Sequence, residues 1–329
     1  MNEVTIYDVA ERAQVSISTV SLALNHPARL KRSTLERVLQ VADDLGFVPK
    51  ERAVLRARKG VHRIAAVAPF TSYPSFSRRL AGVFDELGDR GEQLVVSDCA
   101  DIAVSASPVL ASIPVRGHVD GLLNLGVPLD EKIGERLRQR LPTVLLDTRY
   151  PGLPDICVDD HLGGRLVGEH LAGLGHRSVA FLNEVETYPF QSPPVLRLAG
   201  LRTVLDVVEI TVPRGTSAGA AAVARLFADG PPAVTAVVGC RDLVALGALA
   251  ELRARGLSVP GDLSVVGFDD DPVAEALGLT TVRHPFEESG RLALRTLRRM
   301  LAAPGEEIPS QRLPLTLIPR ATTGPAPTG

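Results

Sequence analysis

The chain has 329 residues, 45% hydrophobic and 22% charged, with a formal net charge of −2. That is enough apolar material for more than one core, and it excludes a wholly disordered chain. No apolar run approaches the roughly 18 residues of a membrane helix, and MNEVTIYDVAER has no basic segment leading into an apolar one, so a cytoplasmic protein with no membrane partner is expected.

The first 49 residues read as three short helices. Thr5 and Asp8 have the spacing of a capping box, and Val9, Ala10 and Ala13 then share one face until the run stops near Gln14. Ser16 is placed to cap a second helix, with Val20, Ala23 and Leu24 inward and Ile17, Ser18, Ser21 and Leu22 on the other side. Ser33-Thr34-Leu35-Glu36 has the form of a second capping box. Val38, Val41, Ala42 and Leu45 form the apolar stripe of a third helix, ended by Gly46 and blocked by Pro49.

Residues 50–62 form a connector of good helix formers with few apolar partners, expected to become helical on binding. Residues 1–62 hold ten Lys+Arg against seven Asp+Glu, leaving 26 against 31 for the remainder. A basic front on an acidic body suits phosphate binding, although a solvated linker carries the same charge. From Arg63 onward the apolar runs RIAAVAP, QLVVSD, DGLLNL, TVLLD, SVAFLN, VVEITV, TAVVG, LSVVGFDD and TTVRHP alternate with helical stretches. This is the βαβ rhythm of a parallel sheet, and its length argues for two doubly wound lobes with a binding crevice. Cys99, Cys157 and Cys240 are odd in number and lack C-x-x-C spacing, which points to small buried side chains and not to disulfides or zinc.

TIYDVAERAQVSISTVSLALN at Thr5 to Asn25 resembles the helix-turn-helix of the LacI/GalR (lactose-repressor) family. GFVPK at Gly46, LAGLGHRSVAFL at Leu171, RLAGL at Arg197, ALGALAELRARGLSVPGDLSVVGFDD at Ala245 and LTTVRHPFEESGRLAL at Leu279 resemble it in the family's order. The resemblance implies an all-α helix-turn-helix domain (1–49), a hinge (50–62) and a periplasmic-binding-protein-like α/β sensor domain (63–329). The sensor's N-lobe would cover about 63–158 and 285–312, and its C-lobe about 159–284 and 313–320.

It also implies a homodimeric repressor on a pseudo-palindromic operator. Ile17, Ser18, Ser21 and Leu22 would face bases, and Thr5, Tyr7, Asn25, Lys31 and Thr34 would hold phosphates, although such polar residues also serve as caps and solvent-facing groups. Ile6, Ser16, Lys50 and Ala53 join this DNA-binding set. Leu22 stands where many relatives carry Arg, which removes a bidentate guanine contact and implies an atypical half-site. In the hinge, the family's minor-groove leucine position holds Arg56, and the leucine is Leu55; either Leu55 shifts into the wedge role or Arg56 enters the groove as a cation.

The same resemblance gives the effector set: Ser72, Tyr73, Phe76, Asp147, Arg149, Arg197, Arg241, Asp269 and Phe286. Carboxylates and guanidinium groups hold vicinal hydroxyls while aromatic rings cover a sugar face, so a carbohydrate effector is expected. Phe76 and Phe286 are equally suited to a core, and Asp269 to a helix cap. Arg241 occupies a site where relatives often have Asn, which favours an anionic or strongly hydrogen-bonding effector unless it pairs with Asp242 or Asp269.

Enzyme readings are weaker. Gly215-Thr216-Ser217-Ala218-Gly219 fits G-x-S-x-G, with Asp269 and His284 in hydrolase order, but no strand runs directly into it and Ser217 reads as a helix N-cap. H-E-x-x-H, G-x-G-x-x-G and the P-loop pattern are missing, so no catalytic residue, metal or cofactor is expected. A solute-binding protein would share the two lobes but not the capped front helices. The tail ATTGPAPTG after Arg320 has no apolar heptad, so assembly beyond a dimer is not expected.

Overall fold

A computed structural model describes residues 4–47, 62–71, 73–89, 91–99, 108–116, 118–185, 192–214, 217–230 and 232–327. The connector residues Lys50, Ala53, Leu55 and Arg56, and Ser72, lie outside them. The chain divides into unit 1, residues 1–157 and 286–312, and unit 2, residues 158–285 and 313–329.

Three helices open unit 1: α1 (Ile6–Arg12), α2 (Ile17–Asn25) and α3 (Arg32–Asp44). At the first cap the Thr5 amide donates to Asp8 Oδ2 at 2.6 Å, and the Thr5 hydroxyl donates to the same oxygen at 2.7 Å. The α1–α2 turn passes through Gln14 at φ 52°, and Ser16 then caps α2 by accepting from the Thr19 amide at 3.2 Å. Val9, Ala13, Val20, Ala23, Leu35, Val38, Leu39 and Ala42 bury the shared core.

The second expected capping box does not form. Helix α3 starts at Arg32, and Glu36 instead accepts from Arg32 Nε at 2.8 Å. Four-residue spacing places the pair on one helix face, where opposite charge claims the carboxylate. The buried stripe runs through Leu35, Val38, Leu39 and Ala42, and Val41 and Leu45 are only half-buried. Gly46 closes the helix at φ 66°, with the Phe47 amide donating to the Ala42 carbonyl at 2.9 Å.

The remainder of unit 1 is a six-stranded sheet of β1 (Arg63–Ala68), β2 (Gln93–Asp98), β3 (Gly121–Leu125), β4 (Thr143–Leu146), β5 (Asp155–Cys157) and β11 (Gln311–Arg312). It is covered by α4 (Pro74–Leu87), α5 (Pro108–Arg116), α6 (Glu131–Arg140) and α12 (Phe286–Ala302). Unit 2 holds β6 (Ser178–Glu184), β7 (Asp206–Val212), β8 (Ala236–Gly239), β9 (Ser264–Asp269), β10 (Thr280–Arg283) and β12 (Thr316–Ile318). Its helices are α7 (Asp160–Gly173), α8 (Pro193–Arg202), α9 (Ala218–Leu226), α10 (Asp242–Ala254) and α11 (Pro272–Ala276).

The strand orders are β11-β5-β4-β3-β1-β2 and β12-β10-β9-β8-β6-β7. All pairings are parallel except β10 with β12. Strands β3, β4, β8 and β9 are buried along their whole length, because helices cover both faces of a parallel sheet; this is why they read as unbroken apolar runs. The tail beyond residue 320 is part of unit 2: the Thr322 hydroxyl accepts from the Thr280 amide at 2.9 Å and donates to the Val265 carbonyl at 2.7 Å.

Candidate functional site

The helix-turn-helix residues sort by physics into a packed set and an outward set. Val20, Ala23 and Leu24 are buried, which turns Ile17 and Ser18 outward as exposed residues and leaves Ser21 and Leu22 half-buried on the same side. Ser16 is occupied as the cap and shares a 2.8 Å hydrogen bond with Ser18. Asn25 Nδ2 donates to Ser21 Oγ at 3.3 Å, one turn apart on that face. Tyr7, at 66% exposure, and Lys31 project from neighbouring helix starts, Thr5 and Thr34 are half-buried, and Ile6 packs against the three-helix core.

In unit 1, Tyr73, Phe76, Asp147 and Phe286 gather around a residue that the sequence reading missed, Arg79. Its guanidinium lies 5.0 Å from the Phe76 ring centre and 4.2 Å from that of Phe286, and Nη2 donates to Asp147 Oδ2. Asp147 follows β4 with φ 52°, a left-handed conformation that turns its carboxylate at the carboxyl edge of the sheet. Tyr73 meets Phe76 edge to face at 5.9 Å. Arg149 is not in this nest: its side chain is largely exposed, with Nε 3.7 Å from Asp155, which also accepts from Arg312 at 2.8 Å. Arg79 was discoverable in principle, because Phe76, Arg79 and Val83 stand at i, i+3 and i+7 and so share the buried face of α4.

Unit 2 gathers the rest. Arg197, buried on α8, donates from Nε to Asp160 at 2.8 Å, from Nη1 to the Cys240 carbonyl at 2.8 Å and from Nη2 to Asp269 at 3.4 Å, and it stacks 4.6 Å from the Phe268 ring centre. Burial works against its charge, but Asp160 and Asp269 outweigh that and hold the guanidinium above the ordinary arginine range. Asp269 ends β9 at φ 112° and faces Arg197; the cap of α11 is Asp271. Arg241 pairs with Glu184, and neither Asp242 nor Asp269 is its partner in that bond. Asp242 accepts from the Thr281 hydroxyl at 2.6 Å and the Asp271 amide at 2.8 Å, and burial, reinforced by Asp269, pushes its carboxyl up to about 8.

The hydrolase constellation does not assemble around Asp269, whose carboxylate accepts from Arg197; Ser217 sits at the N-cap of α9, although its side chain makes no capping bond. Cys240 and Cys157 are buried, and burial pushes their thiols up to about 11 and about 12. No group of three or more metal-ligating side chains occurs among the described residues, and none of the described helices is long and apolar enough to cross a membrane.

Residues 5–50 match the family model "Bacterial regulatory proteins, lacI family", and residues 169–323 match a "Periplasmic binding protein-like domain". The transcriptional repressor CytR of Escherichia coli is 30% identical, over 98% of this chain and 97% of that one. A helix-turn-helix transcriptional regulator of Mycobacterium tuberculosis is 31% identical over the same shares, 98% and 97%. Among solved structures, the lac repressor dimer bound to operator and the anti-inducer ONPF is 26% identical, with TM-score 0.69 over 98% of this chain and all of that one. A LacI-family regulator of Enterococcus faecium with bound ribose is 26% identical, with TM-score 0.70 over 80% and 99%. With near full-length identity at this level and the ordered helix-turn-helix and two-sheet architecture, the chain belongs to the LacI family of bacterial transcriptional regulators.

Proposed function

We propose that this protein is a cytoplasmic, homodimeric repressor, not an enzyme, that binds a pseudo-palindromic operator and whose grip is set by a sugar or sugar derivative. The observation that carries the DNA half is α2: its Ser16 cap and buried Val20, Ala23 and Leu24 present Ile17, Ser18, Ser21 and Leu22 as one outward strip. Such a strip suits the major groove, with serines for base-edge hydrogen bonds and Leu22 for a thymine methyl. Ile6, Tyr7, Thr5, Asn25, Lys31 and Thr34 hold the flanking backbone. Lys50, Ala53 and either Leu55 or Arg56 engage the minor groove in this reading.

The effector half rests on Asp147, Tyr73, Phe76 and Phe286 in unit 1 and on Arg197, Asp269 and Arg241 in unit 2, with Ser72 and Arg149 as flanking residues. The carboxylates accept from hydroxyls and the rings cover an apolar sugar face. An effector changes operator affinity only through differential affinity for two states of the protein, typically about 5- to 150-fold, and operator must change effector affinity by the same factor.

Electrophoretic shifts with duplexes from upstream of its own gene, at several salt concentrations, test the DNA half. Specific binding should weaken steeply with salt as phosphate counterions are released. No preference over random duplex at moderate salt would refute it. Arg197→Ala should abolish the effector response, read as operator affinity with and without ligand; a full response in that variant would remove Arg197 from the effector site.

A further inference from the structure

The tetrapeptide Arg-Leu-Ala-Gly occurs twice, at Arg79–Gly82 and Arg197–Gly200. Each copy lies on the helix that follows the same strand of its sheet: β1 in unit 1 and β6 in unit 2 hold the same place in the strand order. The surroundings repeat as well. A Cβ on Gly82 would collide with the Glu287 carbonyl of α12, and one on Gly200 with the His161 carbonyl of α7. In return, Gly290 lies against the Arg79 carbonyl and Gly164 against the Arg197 carbonyl. Both glycines open a Gly-Arg-Leu triplet, and stepping back four residues aligns Phe286 with Asp160. Each arginine then reaches a carboxylate at the end of the matching strand, Asp147 after β4 and Asp269 at the end of β9, both at positive φ. Arg79 is thus the internal counterpart of Arg197.

The two arginines differ in which donors are used. Arg197 engages Nε with Asp160, Nη1 with the Cys240 carbonyl and Nη2 with Asp269. Arg79, equally buried at 4% exposure, engages Nη2 with Asp147, but its Nε and Nη1 have no acceptor among the described residues. The reason for the first difference is direct: the acceptor Asp160 of unit 2 is replaced in unit 1 by Phe286, whose ring stacks on the guanidinium and accepts no such bond. Buried donors without acceptors are costly, and a guanidinium offers donors only. The group that completes it must therefore bring oxygen acceptors.

Charge decides which kind. In the unit 1 nest, Arg79 stands against Asp147, with no charge in excess. In unit 2, Arg197 and Arg241 stand against Asp160, Asp269 and Glu184, an excess of one negative charge. Unit 1 is the side that favours an anion.

We propose that Arg79 is a specificity-determining residue that holds an oxyanion of the effector, making the effector an acidic or phosphorylated polyol and not a neutral sugar. The inference rests on the reading above that Asp147, Phe76 and Phe286 line the effector site. Hydroxyls of the ligand donate to Asp147 while its carboxylate or phosphate accepts from Arg79. In this assignment the anion goes to Arg79 and not to Arg241, whose Nη1 is already engaged by Glu184.

The test is calorimetric titration of the full-length protein with two matched sets: ribose, ribonate and ribose 5-phosphate, then glucose, gluconate and glucose 6-phosphate. Wild type, Arg79→Met, Arg79→Lys and Arg197→Met are compared. The expected result is an anionic member binding roughly tenfold or more tightly than its neutral parent, the scale of a charge-assisted contact. The carboxylate and phosphate arms tell which anion is used. Arg79→Met should erase the preference, so that the anion binds that variant no more tightly than its neutral parent does; Arg79→Lys, which keeps charge but loses the fork, should retain only part of it.

A neutral sugar binding as well as its anions, or a preference that survives Arg79→Met, overturns the proposal. If such binding still depends on Arg197, the effector reading stands and only the role of Arg79 falls; binding indifferent to both arginines overturns the effector reading itself. Should neither set bind, inorganic phosphate against chloride at equal ionic strength is the probe. Thermal stabilisation by phosphate in wild type that is missing in Arg79→Met supports the oxyanion site, and equal behaviour of the two overturns it.

Discussion

Units 1 and 2 use one scaffold, a doubly wound sheet with an arginine helix clasped by reciprocal glycines, yet they treat the buried arginine differently. Unit 2 supplies an acceptor to each of the three guanidinium nitrogens, so Arg197 is a structural tie as well as a candidate ligand contact. Unit 1 supplies one carboxylate and two aromatic faces, which position the guanidinium without exhausting it. The difference teaches that a buried arginine is read by its unfilled donors, not by its burial.

The comparison breaks first at Arg197. Arg197→Leu removes the guanidinium that Asp160 and Asp269 share at 11% and 9% side-chain exposure, and it should lower unfolding free energy by about 3–5 kcal/mol in urea titrations. A loss below 1 kcal/mol would show that Arg197 is no tie.

Next comes the pH response expected from Asp242 in unit 2. The Asp242 carboxyl rises from an unfolded value of about 3.9 to about 8 in the fold, so the folded state binds the proton more tightly. Its contribution is fully present below pH ~4 and is lost as pH climbs toward ~8, at no more than about 1.4 kcal/mol per pH unit. In denaturant titrations between pH 4 and 8, the stability of wild type relative to Asp242→Asn should follow that decline, since His170 and His176, held below the ordinary histidine range by burial, act equally in both proteins. Parallel profiles for the two proteins would mean Asp242 is ionised throughout.

The shared clasp should fail equally on both sides. Gly82→Ala and Gly200→Ala each drive a methyl into a backbone carbonyl, and each should cost about 1–3 kcal/mol in thermal unfolding, as overpacking does. A large cost in one unit and none in the other would dissolve the internal equivalence. The smallest effect belongs to Arg79→Met, which deletes two unsatisfied donors and leaves Asp147, 19% exposed, able to rehydrate. Its melting temperature should stay within the shift of about 1 kcal/mol; a loss as large as that of Arg197→Leu would make Arg79 structural.

Much of this molecule was legible in the chain. The runs RIAAVAP, DGLLNL, TVLLD, SVAFLN, TAVVG and LSVVGFDD became strands buried along almost their whole length, because parallel strands covered on both faces must be apolar throughout, whereas the edge strands β2 and β7 keep exposed positions. Strands β5, β11 and β12 escaped notice because two or three residues show no period, and their pairing is made by distant segments. The α3 start was misplaced because Glu36 stands three residues after Ser33 and four after Arg32, so it suits both a capping box and an ion pair along the helix, and the fold realises the second. Arg78 and Arg79 look alike in sequence, yet helix phase sends one to Glu287 at 2.8 Å and the other between two rings.

By itself the sequence determined the outward strip of α2, the alternation of strands and helices, and the family, since caps, periodicity and ordered motifs are properties of neighbouring residues. Only the tertiary structure decided that Arg241 pairs with Glu184, that each guanidinium nitrogen of Arg197 has an acceptor, and that Arg79 is buried with donors to spare. Hydrogen-bond satisfaction is a sum over atoms brought together from far apart in the chain, and no local pattern contains that sum.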